Sequence, residues 1–148
     1  MKTEQEIIQE LINKWLPLGI EFAEGAVGVV GMYFHAGSEL GAKRANIFFD
    51  VGDKIVYPGN LKGAQTARGS VHHMQGLMIE DLLDAERQFK ESGIPCPTEY
   101  RISYEPAPGR LDVQLHRDLK YHGHPTKGLL DGPADWLGDR LEEVYKRS

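Results

Sequence analysis

The chain has 148 residues, 41% of them apolar and 26% charged, which is the content of one folded domain; a second domain with its own core would barely fit. No apolar run approaches the ~20 residues of a membrane span, and Glu4, Glu6 and Glu10 behind a single Lys2 are the wrong pattern for a signal or transit peptide. The net charge of −5 disfavours direct nucleic-acid binding, which needs excess Lys and Arg, and Cys96, the only cysteine, excludes an internal disulfide and a cysteine-based zinc site.

Thr3-Glu4-Gln5-Glu6 is a capping-box pattern, and Ile7, Ile8, Leu11, Ile12, Trp15 and Leu16 follow as one apolar stripe at helical spacing. Pro17 is expected to stop this helix. Three extended segments come next: Ala26 to His35, Ala45 to Val51, and Lys54 to Tyr57. Gly37 to Gly41 reads as the hairpin loop between the first two, and Gly52-Asp53 as a tight turn before the third. Gly28 and Gly31 suggest a bulge or close packing.

Gly59 to Gly69 is polar and glycine-rich, the expected mobile loop. Ser70 is placed to cap a long helix to about Ser92, with Met74, Leu77, Met78, Leu82, Ala85 and Phe89 buried and Glu80, Asp81, Asp84 and Glu86 largely off that stripe. Gly93, Pro95 and Pro97 end it. Thr98 to Glu105 alternates, with Tyr100, Ile102 and Tyr104 on one side and Glu99, Arg101, Ser103 and Glu105 on the other. After the turn Pro106 to Gly109, Arg110 to Arg117 alternates again, with Leu111, Val113 and Leu115 inward and Arg110, Asp112, Gln114 and His116 outward. Leu119 to Gly132 reads as a loop. Pro133 opens a last helix carrying Trp136, Leu137, Leu141 and Val144.

The order α-β-β-β-α-β-β-α, with strands in hairpin runs, predicts a single α+β domain over residues 1–148: an antiparallel sheet with helices packed on one face. The half-polar last hairpin leaves the other face available to water or to a partner.

No phosphate loop, dinucleotide-binding glycine pattern or nucleophile elbow is present. Gly63 to Gly69 lacks the lysine and the strand-to-helix context of a phosphate site. His72 and His73 are adjacent, so on a helix they point about 100° apart and do not converge on a metal. His122-Gly123-His124 has chelating spacing if extended, with His116 nearby, yet no further ligands are placed by spacing. Ordinary solvent or loop histidines are the plain reading. Cys96 between two prolines reads as an inert thiol, and the acid pairs Asp50/Asp53, Glu80/Asp84 and Asp135/Asp139 as solvated faces. No catalytic residue, metal or cofactor is expected. The polar face of the last hairpin mixes both charge signs and is the feature that points outward. A plain solvated sheet face reads the same way, but an acidic protein with no active site commonly acts by binding a basic partner, where charge complementarity speeds encounter.

The element order resembles the YezG-like immunity proteins. The likeness is closest in the second half: a long amphipathic helix, the break Gly93-Ile94-Pro95-Cys96-Pro97, an alternating strand, the turn Pro108-Gly109-Arg110, the strand segment Leu111-Asp112-Val113, and the Trp-bearing Asp135-Trp136-Leu137-Gly138. The resemblance implies a cytoplasmic antitoxin that neutralises a cognate secreted toxin, a basic nuclease domain, by occluding its active site. Candidate toxin-binding residues are Glu99, Arg101, Asp112, Gln114 and His116 on the hairpin, His122 and His124 in the adjacent loop, and Glu80 and Asp84 on the acidic helix face. The order and acidity also resemble class I type III secretion chaperones, dimers that hold a disordered effector segment in apolar grooves. A small metal-dependent enzyme using the histidines is the remaining alternative. Oligomeric state is left open, a homodimer included.

Overall fold

The computed structural model describes residues 1–64 and 68–142 of the chain. Helix α1 (Glu4–Phe22) opens on the expected capping box: Thr3 Oγ1 accepts the Glu6 N–H at 3.2 Å, and Glu6 Oε1 accepts the Thr3 N–H at 3.1 Å. Ile7, Ile8, Leu11, Ile12 and Trp15 are buried. Pro17 does not end the helix. It removes one intrahelical bond at a local cost of ~3 kcal/mol, but the turn beyond it buries Gly19 and Phe22, and Phe22 stacks on Phe49 with ring centroids 5.7 Å apart. Burial of that extra turn offsets the proline.

Strand β1 (Gly31–Glu39) begins and ends later than the composition suggests, and β2 (Ala42–Asp50) begins earlier. The two meet in register from Gly31↔Asp50 to Glu39↔Ala42, which leaves only Leu40 and Gly41 as the loop. Both have positive φ, +45° and +88°, the geometry of a type I′ hairpin turn. Gly37 and Ser38 are therefore strand residues. Gly37 is needed for a different reason: a Cβ there would lie 3.0 Å from Leu129 Cδ2. Strand β3 (Ile55–Val56) follows the expected turn at Gly52, whose φ is +101°.

Within the polar loop, Pro58–Asn60 forms a 3-10 turn, and residues 65–67 lie outside the described residues. Helix α2 (Arg68–Glu91) starts before Ser70, so Ser70 is not its cap. Met74, Met78, Leu82, Ala85 and Phe89 are buried and Leu77 partly so. Strands β4 (Glu99–Glu105) and β5 (Arg110–His116) form the predicted hairpin.

The strands make one five-stranded antiparallel sheet in the order β3-β2-β1-β4-β5. Helices α1 and α2 pack on the face that carries Met32, Phe34, Ala36, Ile47, Phe49, Tyr100 and Ile102, where the core lies. The α+β class and the element order are as the sequence predicts.

The other face is not simply open. The last helix, α3 (Gly132–Leu137), has Pro133 in its first turn as expected, but it is short. Gly138, with φ +63°, stops it, and Leu141 runs extended beside Ile55. Leu141 packs with Phe48 and Ile55 in a second, smaller apolar cluster; Val144 lies outside the described residues. Residues 118–142 thus form a strap over the outer face of β1 and β2. Leu129 rests on Gly37, Gly132 on His35, and Trp136 on Tyr33 with centroids 5.4 Å apart.

Candidate functional site

Alternation places Tyr33, His35, Gly37 and Glu39 of β1 on the outer face, with Glu99, Arg101 and Ser103 of β4 and Asp112, Gln114 and His116 of β5 beside them. At the centre is Glu99, 3% exposed. His35 Nε2 lies 2.8 Å from Glu99 Oε2, while His116 Nδ1 at 2.6 Å and Lys120 Nζ at 2.8 Å share Glu99 Oε1. Arg101 Nε is 3.1 Å from Glu99 Oε2, an ion pair by distance without hydrogen-bond alignment. Burial alone would raise the Glu99 pKa. The hydrogen bonds from His35, Lys120 and His116 and the nearby Arg101 outweigh burial and hold the carboxyl well below the usual range.

Above this carboxylate sits Trp136. Its ring is 6.1 Å from that of His35, and the Arg101 guanidinium carbon stands 6.0 Å over it, a cation–π contact. Two further acids organise the strap, Glu39 by holding it to β1 and Asp135 by bonds within it. Glu39, almost fully buried, accepts the backbone N–H groups of Lys120, Tyr121 and His122 at 2.8 to 3.2 Å. Asp135 accepts from the Tyr121 hydroxyl at 2.8 Å and from Lys127 Nζ at 2.9 Å. Burial would raise Asp135, and these two donors reverse the direction.

The residues predicted from sequence fall into three groups. Asp112 and Gln114 are exposed on the outer face, 3.4 Å apart between Oδ2 and Nε2. His122 and His124 are exposed in the strap, where His124 Nδ1 accepts the N–H groups of Thr126 and Lys127 and closes its own turn. Glu99 points outward from the helices as alternation requires, but it is buried, so it cannot itself meet a partner. Arg101 and His116 are partly buried and held against it. Glu80 and Asp84 are on α2, across the sheet, and do not converge with the rest. Asp84 is also engaged by Arg87, by Gln88 at 2.8 Å and by Lys14 at 3.4 Å.

Sequence reasoning missed His35, Lys120, Glu39 and Trp136 as parts of this arrangement. The signal for His35 was its phase, since it alternates with Met32, Phe34 and Ala36 on the core side. Lys120 lies in a loop with no periodicity to place it.

Chemically, the Glu99 cluster is an anchor: both carboxylate oxygens are engaged and the carboxylate is shielded from solvent, while His116 and Lys120 stay partly exposed. It fixes Arg101 and His116 beside an open polar strip of Ser103, Asp112 and Gln114. Among the described residues, no group of three or more His, Cys, Asp or Glu is placed to hold a metal ion, and no helix is long and apolar enough to cross a membrane. No family model and no curated protein matches the chain.

Proposed function

We propose that the chain is an immunity protein that binds a folded, basic toxin domain, a nuclease, in the cytoplasm and blocks its substrate groove, as the resemblance to the YezG-like proteins implies. The observation that carries this reading is the polar outer strip of β4 and β5, held on a rigid sheet by a buried ion cluster. A preorganised polar surface suits a folded partner, whereas a chaperone for a disordered segment needs apolar grooves. The net charge of −5 suits a basic partner. An interface of at least ~1,000 Å² is required, so neighbouring strap residues such as His122 would join the strip.

The test is affinity capture from the native host with the bound proteins identified by mass. Recovery of a toxic C-terminal domain of a secreted protein, with toxicity abolished by adding this chain, supports the reading. Recovery of an effector held through a disordered N-terminal segment overturns it in favour of a chaperone. Near-stoichiometric divalent metal in the purified protein overturns it in favour of an enzyme.

A further inference from the structure

The two edges of the sheet are finished differently. β3 has two residues, and the segment at Leu141 runs parallel beside it, with the Glu142 N–H on the Ile55 carbonyl at 2.9 Å. β5 has seven residues in unbroken register with β4, and the sheet ends there. Alternate N–H and C=O groups of β5 therefore face outward, without a ladder partner among the described residues. Proteins ordinarily blunt such an edge with Pro, Lys, a bulge or an inward charge. β5, Arg110-Leu111-Asp112-Val113-Gln114-Leu115-His116, has no Pro, Lys, bulge or inward charge; its charges, Arg110 and Asp112, are of opposite sign and lie on the outer side.

The strand is chemically two-fold about Val113. Laid antiparallel on a copy of itself, Val113 meets Val113, Leu111 meets Leu115, and Asp112 meets Gln114. The apolar three lie on the helix side, where Leu111 is still 41% exposed and Val113 and Leu115 are only partly covered. On the outer side each carboxylate would face an amide donor. Arg110 would face His116, whose Nδ1 is already turned to Glu99. No acid opposes an acid along the seam, so the net negative charge of the chain is not concentrated there.

We propose that β5 pairs with β5 of a second copy of this chain about a two-fold axis at Val113, giving one continuous ten-stranded sheet. Closed two-fold symmetry needs a self-complementary surface, which this strand supplies. The inference rests on strand geometry and not on the proposed function. It also places the Asp112 and Gln114 strips of two copies side by side.

The test is sedimentation equilibrium of the full chain and two variants at the exposed Gln114. The wild-type chain should sediment at twice 16.6 kDa. Gln114→Asp sets like charges opposite Asp112 twice and should weaken the dimer about tenfold; Gln114→Lys sets opposite charges there and should tighten it. Circular dichroism should be unchanged in both. A wild-type monomer across the micromolar range overturns the proposal. So does a dimer whose affinity neither variant moves, since its interface would then lie elsewhere.

Discussion

Gly132 is pressed onto His35: a Cβ built on this glycine would lie 2.5 Å from the imidazole Cε1 and 2.7 Å from Nε2. The ring cannot retreat freely, because it is 2% exposed and its Nε2 is on Glu99. Gly132→Ala should therefore cost about 2 kcal/mol through overpacking, read as a lower urea midpoint at unchanged slope. In a His35→Ala background the same change should cost much less, because the obstructing ring is gone. Equal cost in both backgrounds would mean that the close approach carries no strain.

Glu99→Gln removes the one negative charge among Lys120, Arg101 and two histidines. Breaking a buried pair in this way should destabilise the fold by roughly 3 kcal/mol at neutral pH. The folded pKa of Glu99 lies below its unfolded value, so its contribution is complete above the ordinary carboxylate range near ~4.3 and is withdrawn as pH falls below it. The variant should lose least relative to wild type in acid. Thermal unfolding from neutral to acidic pH checks this, and parallel curves would contradict the assigned role.

The local parts of this fold were readable because their causes are local. The Thr3 to Glu6 capping box, the α2 stripe and the alternation of Tyr100, Ile102, Val113 and Leu115 follow from propensity and period. The structure departs from local expectation where tertiary contact outweighs a local rule. Pro17 was overridden by Phe22 packing on Phe49, and Gly37 looked like turn chemistry although Leu129 is its reason. The short last helix was the exception, since Gly138 was visible as a stop. For the site, sequence placed Asp112 and Gln114 correctly on the outer face. It could not show that Glu99 is buried, because its partner His35 is 64 residues away.

Glu39 holds the strap through backbone alone, accepting three consecutive N–H groups. Glu39→Gln keeps the shape but leaves one acceptor oxygen. The Tyr121 and His122 amides should then exchange about tenfold faster or more, matching a loss of ~1–3 kcal/mol for an unsatisfied buried group. Amides of β2 should be unaffected. Hydrogen exchange followed by residue separates the two, and uniform acceleration would indicate global destabilisation instead.

By sequence Asp112 and Asp84 are both candidate contact acids, and the structure separates them. Asp84 is held by Arg87 above all, with Gln88 and Lys14, which keeps its pKa below the usual value despite some burial. Its charge is largely answered within the chain. Asp112 faces solvent, and among the described residues its hydrogen-bond partner is the Gln114 amide, at 3.4 Å. Asp112→Lys should therefore slow association with the toxin several-fold at low salt, with the difference shrinking as screening shortens the range of the field. Asp84→Lys should leave association nearly unchanged and cost stability by about 1 kcal/mol or less, the worth of a partly exposed ion pair. Stopped-flow association rates over a salt series, set beside urea unfolding of each variant, distinguish the two. Equal slowing by both would place the contact across two faces of the sheet, and no slowing by Asp112→Lys would remove the outer strip from the interface.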